Sequence, residues 1–215
     1  MSFYSGRHYV VKTAEANFID RLIYLEHLGE NRPAPQLDIG CSIGNFLNLD
    51  PARIEGVDID RDALKVCAER GLRASHFDIV SEDIPWKDKF EVVYFRHVIE
   101  HMTDPLAALL KIRATLKVGG LLVVETPDYI TAHHRKKSNF WDDYTHKTPF
   151  TFRSLERIAF DAGFEIKRAI RKPKYGYWTK KLLKSGRLDY AVAFNWHMRL
   201  NLVMGDLLFV LRRPH

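Results

Sequence analysis

The chain has 215 residues, of which 46% are hydrophobic and 28% are charged. These fractions are ordinary for a globular protein, and they exclude a disordered chain and a collagen-like repeat. Lys and Arg outnumber Asp and Glu by 33 to 27, giving a net charge of +6. This excess is compatible with nucleic acid, an acidic glycan or an anionic membrane surface and selects none of them. Two cysteines are too few for a disulfide framework.

The sequence has no apolar run of the kind that forms a signal peptide or a membrane-spanning helix of about 18–20 residues. The longest apolar candidate lies at residues 202–211 and contains Asp206. We therefore expect a cytoplasmic protein without a transmembrane segment. Peripheral contact with an anionic membrane stays open.

Strand-like and helix-like segments alternate along much of the chain. A helix is predicted over residues 15–28 and ends at Gly29. The predicted strands that follow are 37–39, 54–58, 75–79, 90–95 and 121–125. The predicted helices between them are 61–70 and 104–116, with Asp60 and Asp104 as N-caps and Pro105 in the first turn. Gly119 and Gly120 are predicted to turn the chain into the fifth strand.

The last third adds a helix at 154–162, a strand beginning at 164 and a strand at 207–212, the last antiparallel at the sheet edge. Strands separated by helices pair in parallel through right-handed crossovers. The sequence therefore predicts a single α/β domain. Its fold is Rossmann-like and doubly wound, a mostly parallel seven-stranded sheet with helices on both faces. Ligands of such sheets bind beyond the carboxyl ends of the strands.

A tight glycine turn, GCSIG at 40–44, follows the first strand. Glycines in such a turn let the backbone approach a ligand closely. The dinucleotide fingerprint G-x-G-x-x-G is incomplete, because Ser42 and Asn45 stand at its second and third glycine positions. Asp38 would also repel a phosphate. S-adenosylmethionine, which carries an ammonium and a sulfonium and no phosphate, suits this turn.

Two further acidic residues fit the same cofactor. Asp58 ends the second strand, 18 positions after Gly40. This is close to the offset of about 20 residues at which an acidic side chain binds ribose hydroxyls. Asp78 lies at the carboxyl end of the third predicted strand and can accept a hydrogen bond from the adenine amino group.

Five stretches together resemble class I S-adenosylmethionine-dependent methyltransferases of the small-molecule and glycan branch. They are LDIGCSIGNFL (37–47), IEGVDID (54–60), HFDI (76–79), FEVVYFRHVIEHMTDP (90–105) and LKVGGLLVVETPD (116–128). The resemblance covers about residues 15–166. It implies that Asp38, Gly40 and Gly44 flank the methionine part, that Asp58 holds the ribose and that Asp78 with Ile79 frames the adenine. The full set of predicted cofactor-binding residues is Asp38, Gly40, Cys41, Ser42, Gly44, Asp58, Ile59, Asp78, Ile79 and Arg96.

This resemblance divides the chain into four segments. Residues 1–35 form an N-terminal helical segment and residues 36–128 the cofactor-binding core. Residues 129–150 form an acceptor-side loop. Residues 151–215 form a C-terminal helix–strand unit with a basic, aromatic insertion. Residues 167–187 of that insertion have three alternative interpretations. They form a solvated surface segment, they contact a glycan or lipid-linked glycan, or they contact RNA.

Methyl transfer to oxygen requires the acceptor hydroxyl to lose its proton, typically to His, Asp or Glu. His97 follows the fourth strand and His146 lies in the acceptor-side loop, so both are candidate general bases. Alternatively, His97 packs beside the cofactor and His101 caps a helix. The segment WDDYTHKTPFT (141–151) resembles an acceptor-side loop of methyltransferases encoded for bacterial surface-glycan assembly. It favours a sugar hydroxyl or another small polar acceptor.

A metal site is an alternative interpretation of these histidines. His97, Glu100 and His101 resemble the Glu-x-x-Glu-His arrangement of small-RNA 2′-O-methyltransferases, and His146 adds a further donor. Because His97 replaces the first glutamate, we predict no metal. An RNA 2′-O-methyltransferase and a non-catalytic cofactor-binding module are the alternatives. No zinc knuckle or recognition-helix pattern supports binding of nucleic acid. Cys41 and Cys67 are predicted to be packing residues.

Overall fold

The computed structural model describes residues 33–129, 139–173, 182–183, 185–189, 192–193 and 204–215. The helix predicted over residues 15–28 lies outside these residues. The strands are β1 (Gln36–Ile39), β2 (Ile54–Asp58), β3 (Ala74–His76), β4 (Phe90–Arg96), β5 (Leu116–Thr126), β6 (Glu165–Pro173) and β7 (Met204–Arg212). The helices are α1 (Arg61–Glu69), α2 (Pro105–Thr115) and α3 (Phe152–Asp161). Short 3-10 helices lie at Leu47–Leu49, Ile99–His101 and Phe140–Asp142.

The strands form one sheet in the order β3-β2-β1-β4-β5-β7-β6. Strands β1 to β5 pair in parallel, and β7 pairs antiparallel with both β5 and β6. The strand order reverses between β1 and β4, and open α/β sheets bind ligands in the crevice at such a reversal. The predicted doubly wound, mostly parallel sheet is confirmed, and its crevice lies beside the glycine turn.

The core consists of one layer on each face of the sheet. In β4, Val93 and Phe95 belong to the layer that contains buried residues of α2 and α3. Val92 and Tyr94 belong to the opposite layer, which contains the buried Cys67 of α1. Because side chains alternate along a strand, consecutive apolar residues supply both layers. The predicted placement of helices on both faces is confirmed.

Both predicted N-caps are confirmed. The Asp60 carboxylate accepts hydrogen bonds from the backbone N–H groups of Asp62 at 3.0 Å and Ala63 at 3.3 Å. The Asp104 carboxylate accepts from the N–H of Ala107 at 2.9 Å. A cap of this kind contributes about 1 kcal/mol. These caps fix where α1 and α2 begin, and each helix follows a strand end at the crevice.

The prediction that Gly119 and Gly120 form a turn before the fifth strand is wrong, because both lie inside β5. The pairing of β5 with β4 shifts register there, from Phe90 opposite Leu116 to Val92 opposite Leu121. The N–H of Gly119 donates to the Arg213 carbonyl, and the N–H of Arg213 donates to the Gly120 carbonyl. The glycines therefore accommodate an irregularity within a longer strand.

The third strand ends earlier than predicted. It stops at His76 and not at Ile79, because the Asp78 carboxylate accepts from the Val80 N–H at 2.9 Å and the Ser81 hydroxyl at 2.6 Å. Hydrogen bonds from an Asp side chain to nearby residues replace strand pairing with a turn. Asp78 and Ile79 consequently lie in the loop at the carboxyl end of β3.

The final strands differ from the prediction in length and position. The strand predicted to begin at residue 164 is the nine-residue β6. The seventh strand is antiparallel, as predicted, but it lies between β5 and β6 and not at the edge. Its run from Leu207 to Leu211 is buried, whereas β6 carries Lys and Arg residues that suit an exposed edge. In the described residues, no helix is long and apolar enough to cross a membrane.

Candidate active site

The glycine turn is held by backbone hydrogen bonds to β2 and by close packing. The N–H groups of Gly40 and Cys41 donate to the Val57 carbonyl at 2.8 and 3.0 Å. Gly40 has a φ of +80°, and a Cβ there would lie 2.3 Å from Cγ2 of Val98. Gly44 has a φ of +73°, and its Cβ would lie 2.5 Å from Cδ1 of Leu72. Both positions therefore require glycine for conformation and for space.

Asp58 connects the end of β2 to this turn. Its carboxylate accepts hydrogen bonds from the backbone N–H of Ser42 at 2.7 Å and of Asp60 at 2.8 Å. Burial raises the pKa of Asp58, and the bonds from Asp60 and Ser42 oppose that rise. A carboxylate has about four acceptor positions, so it can accept further hydrogen bonds at the crevice. The backbone thus orients Asp58 before any ligand binds.

Asp38 is a buried carboxyl group near the end of β1. Burial raises its pKa to about 7, while the positive charge of Arg96 opposes the rise and the negative charge of Asp58 adds to it. The carboxyl group therefore keeps its proton to a much higher pH than an exposed aspartic acid does. A cationic group bound beside it would favour the ionised form.

Glu125 is a buried carboxylate at the end of β5 that gathers three cationic side chains. It accepts from Nε of Arg96 at 3.0 Å and from Nζ of Lys172, and its Oε1 lies 3.5 Å from Nε2 of His97. Burial alone would raise the pKa of Glu125, but Lys172, Arg96 and His97 hold it well below its ordinary value. The Arg96 guanidinium also lies 4.4 Å from the centre of the Phe46 ring. Arg96 is therefore fixed in position at the end of β4.

His97 lies between two buried carboxylates. Its Nδ1 is 3.5 Å from Oε1 of Glu100, and its Nε2 is 3.5 Å from Oε1 of Glu125. Burial lowers the pKa of His97, but hydrogen bonds to Glu100 and Glu125 outweigh this and raise it well above the ordinary value, although 45% of the side chain is exposed. Its φ of +52° is unusual for a residue other than glycine. The structure therefore holds His97 as an imidazolium at neutral pH.

The described part of the acceptor-side loop places His146 against the segment that follows β4. The backbone N–H groups of Lys147 and Thr148 donate to the Glu100 carbonyl at 2.8 and 3.0 Å. Nδ1 of His146 lies 2.6 Å from the Phe140 carbonyl oxygen. A carbonyl only accepts, so Nδ1 carries the hydrogen and Nε2 has a free lone pair in the neutral ring. The predicted loop residues 130–138 lie outside the described residues.

The predicted adenine-framing residues border the carboxyl ends of β2 and β3. Ile59 is exposed, while Ile79 is buried. Burial would raise the pKa of Asp78, but hydrogen bonds from Ser81 and Val80 outweigh it and lower the pKa. The Nζ of Lys111 on α2 donates to the carbonyl oxygens of Ile79, Val80 and Glu82 at 3.0–3.2 Å. Lys111 therefore fixes this loop.

Sequence reasoning missed several residues that shape the crevice. A Cβ at Gly56 in β2 would lie 2.7 Å from Sγ of Cys41, so this glycine makes room for the turn. A glycine inside a strand indicates close approach of another part of the backbone, so the sequence did contain a signal for Gly56. Lys111 and Val98 had no distinguishing pattern. Cys41 and Cys67 are buried, as predicted for packing residues.

Comparison with known proteins identifies the family to which this chain belongs. A family model for a methyltransferase domain matches residues 11–169, which is more than half of the chain. The chain belongs to this methyltransferase family. Trans-aconitate 2-methyltransferase from Agrobacterium fabrum is 29% identical over 182 residues, covering 79% of this chain and 62% of that protein. Ubiquinone biosynthesis O-methyltransferase from Bradyrhizobium sp. is 37% identical over 98 residues, covering 42% of this chain and 38% of that protein.

The fold of this methyltransferase domain also matches solved structures. A SAM-dependent methyltransferase from Archaeoglobus fulgidus superposes with a TM-score of 0.64, at 20% identity, over 94% of this chain and 96% of that chain. At this identity the match supports the fold alone. The chain spans less than two thirds of the length of the two curated relatives described above.

Proposed function

We propose that this methyltransferase domain binds S-adenosylmethionine in the crevice between β1 and β4 and transfers its methyl group to an oxygen atom of a small polar acceptor. The observation that carries this proposal is the buried Asp38 carboxyl beside the glycine turn. A carboxylate that burial destabilises gains from a cationic partner, and the cofactor supplies an ammonium group. A pyrophosphate at the same place would be repelled.

The other predicted cofactor contacts follow the strand ends. We assign Asp38 and the turn residues Gly40, Cys41, Ser42 and Gly44 to the methionine part of the cofactor. Asp58 is already oriented by two backbone N–H groups and accepts from the ribose hydroxyls.

The outer half of the cofactor lies farther along the same edge of the sheet. Ile59 and Ile79 border the adenine, and Asp78 lies where it can accept from the adenine amino group. Arg96, at the end of β4, is held in place by its hydrogen bond to Glu125.

Methyl transfer is a displacement at carbon in which alignment of donor and acceptor supplies much of the acceleration. His146 has a lone pair on Nε2 and lies on the acceptor-side loop, so we assign it to activation of the acceptor oxygen. His97 is held as a cation and must lose a proton before it can serve as a base. We therefore rank His146 ahead of His97 as the group that acts on the acceptor.

We further propose a sugar hydroxyl as the acceptor. Trp141 and Tyr144 on the acceptor-side loop are exposed, and aromatic side chains there offer flat apolar surfaces with polar edges. Of the two relatives described above, one is named an O-methyltransferase of ubiquinone biosynthesis and the other a methyltransferase of trans-aconitate. The first of these names supports an oxygen acceptor, and the exposed aromatic side chains of the loop support a sugar hydroxyl.

The test uses the purified chain, S-adenosylmethionine with a labelled methyl group, and acceptors of three classes: a nucleotide sugar, a catechol and an aliphatic polycarboxylic acid. We expect label in the nucleotide sugar. Transfer only to the catechol or the acid would overturn the sugar assignment and retain O-methylation. Label found only in RNA of a bacterial extract, with an uptake that falls steeply with salt, would overturn the small-acceptor proposal.

A further inference from the structure

Three side chains with metal-binding atoms converge beside the acceptor-side loop. They are Glu100 and His101, which follow β4, and His146 of the loop. Their donor atoms all lie within 4.8 Å of one another. Glu100 is buried, and both histidines are partly buried. The cluster therefore joins two parts of the chain that are far apart in sequence.

Hydrogen bonding fixes the tautomer of His101. The Thr145 hydroxyl donates its single hydrogen to Oδ1 of Asp143 at 2.6 Å. Nδ1 of His101 lies 2.9 Å from the same hydroxyl oxygen, so it must donate to that oxygen. The hydrogen of His101 is then on Nδ1, and Nε2 has a free lone pair.

His146 has the same tautomer for the same kind of reason, since its Nδ1 donates to the Phe140 carbonyl. Metal-bound histidines almost always donate their other ring N–H to a carbonyl, a carboxylate or a similar acceptor, which orients the ring. The Thr145–Asp143 pair and the Phe140 carbonyl do this for His101 and His146. In both rings Nδ1 donates a hydrogen bond and Nε2 is left to bind a metal, as in metal-bound histidines.

Glu100 supplies the carboxylate of the cluster. Its Oε2 accepts from the Thr126 hydroxyl at 3.0 Å, which holds the side chain in place. Its backbone carbonyl accepts from Lys147 and Thr148, which sets the distance between the loop and the segment after β4. A buried carboxylate is stabilised by a nearby positive charge. A dication bound by this carboxylate would supply such a charge.

The geometry points to a site for a first-row transition-metal dication, such as Mn²⁺, Co²⁺ or Zn²⁺, bound by Glu100, His101 and His146. Two imidazoles and one carboxylate favour these ions over Mg²⁺ and Ca²⁺, which prefer oxygen ligands. Ligands bound at about 2.1 Å from one ion lie about 3–4 Å apart, and the donor atoms here lie within 4.8 Å of one another. Three protein ligands leave positions open for an acceptor oxygen.

A second group of potential ligands, His97, Glu125 and Asp206, differs in its surroundings. Its Glu125 already contacts Arg96 and Lys172, so a dication there would meet two permanent positive charges. The prediction of no metal depends on His97, which stands where small-RNA 2′-O-methyltransferases have the first glutamate of their Glu-x-x-Glu-His arrangement. His146 supplies the third donor of the proposed site instead.

The inference does not depend on the proposed methyl transfer, because metal binding is measured without the methyl donor. If both hold, an acceptor hydroxyl bound to the ion has a lowered pKa. Nε2 of His146 cannot hold a metal and a proton together, so His146 then acts as a ligand. Calorimetry with S-adenosylmethionine on the same samples separates the two ideas. Metal binding without cofactor binding would leave this inference intact and overturn the proposed function.

The test is a titration of chelator-treated, tag-free protein with Mn²⁺, in which electron paramagnetic resonance measures the free ion. We expect one Mn²⁺ per chain for the wild type and for the control His215→Ala, which alters an exposed terminal histidine. His101→Ala and His146→Ala should weaken binding at least about 10-fold. Thr145→Val keeps all three ligands but removes the hydroxyl that orients His101, and loss of such a partner weakens binding about 10–100-fold.

Thermal unfolding without metal checks that each variant folds. If the histidine variants unfold, Thr145→Val decides the outcome, because it preserves side-chain volume. Absence of stoichiometric Mn²⁺ on the wild type at millimolar concentration would overturn the inference. So would equal Mn²⁺ affinity in the wild type and Thr145→Val.

Discussion

The cofactor side and the acceptor side of the crevice are built by different means. The glycine turn and Asp58 are held by backbone hydrogen bonds between neighbouring strands, and close packing of Val98 and Leu72 leaves no space there for a larger residue. The acceptor side is held by side chains and by two backbone bonds from the loop to Glu100. Changes on the cofactor side should therefore alter stability and cofactor binding together. Changes on the acceptor side should alter turnover and leave cofactor binding unchanged.

The largest expected effect is on the acceptor side. His146→Ala removes the side chain assigned to activation of the acceptor oxygen, and loss of such a group reduces turnover by about 10²–10⁴-fold. Cofactor affinity, measured by calorimetry, should stay within about 2-fold of the wild type, since the His146 side chain packs against Phe140 and His101. His215→Ala serves as the control for loss of a histidine. Full turnover of His146→Ala would remove this residue from the mechanism.

Gly40→Ala tests the packing of the glycine turn on the cofactor side. The added Cβ would lie 2.3 Å from Cγ2 of Val98, in addition to the cost of a φ of +80°. Gly71→Ala is a matched control, because Gly71 has a φ of +67° and no neighbouring atom within 4 Å of the added Cβ. We expect Gly40→Ala to lower the free energy of unfolding by about 2–4 kcal/mol and Gly71→Ala by about 1 kcal/mol, measured by urea denaturation. Equal losses would show that packing against Val98 is not what requires glycine.

Asp58→Ala tests whether cofactor binding and turn structure on the cofactor side change together. It removes both the hydrogen bonds expected to the cofactor and the hydrogen bond from the Ser42 N–H in the turn. Lost charge-assisted hydrogen bonds should weaken cofactor affinity by about 1–3 kcal/mol, or about 5–150-fold in Kd. Asp62→Ala, an exposed change on α1, is the control. Unchanged calorimetric affinity in Asp58→Ala would mean that the ribose lies elsewhere.

The smallest expected effect concerns Asp38 and pH. Its pKa in the folded chain is about 7, above the ordinary value of 3.8, so the folded state binds this proton more tightly than the unfolded state. The contribution of Asp38 to stability is therefore lost as pH rises from about 4 through 7. Asp38→Asn should raise Tm by several degrees at pH 8 and by less at pH 5, while weakening cofactor binding. A variant less stable than the wild type at pH 8 would contradict this.

The contrast between the two sides also explains what the sequence could predict. The strand–glycine–acid pattern is local, so Asp38, Gly40, Gly44 and Asp58 could be placed together from spacing alone. Gly119 and Gly120 misled the prediction, since glycine fits an irregular strand as well as a turn. The edge position assigned to β7 failed because strand order depends on which strand is buried on both sides, and the charged β6 takes the edge.

The acceptor side could be predicted only in part. His146 and Glu100 were recognised as residue types that carry chemistry. The distance between them depends on the hydrogen bonds from Lys147 and Thr148 to the Glu100 carbonyl, which span 47 and 48 residues of sequence. The tautomers of His101 and His146 depend on Thr145 and Phe140, which no sequence pattern identifies. Likewise, the raised pKa of His97 comes from Glu100, which is near in sequence, and from Glu125 on a neighbouring strand, which is not. Long-range contacts of this kind have no local signal.

The most direct measurement is calorimetry of the wild-type chain with S-adenosylmethionine and, separately, with NADH, repeated on Asp38→Asn. The account predicts that the sulfonium nucleoside binds, that its affinity falls in the variant, and that NADH does not bind. Binding of NADH with no measurable affinity for S-adenosylmethionine would show that the crevice holds a pyrophosphate and would contradict the account.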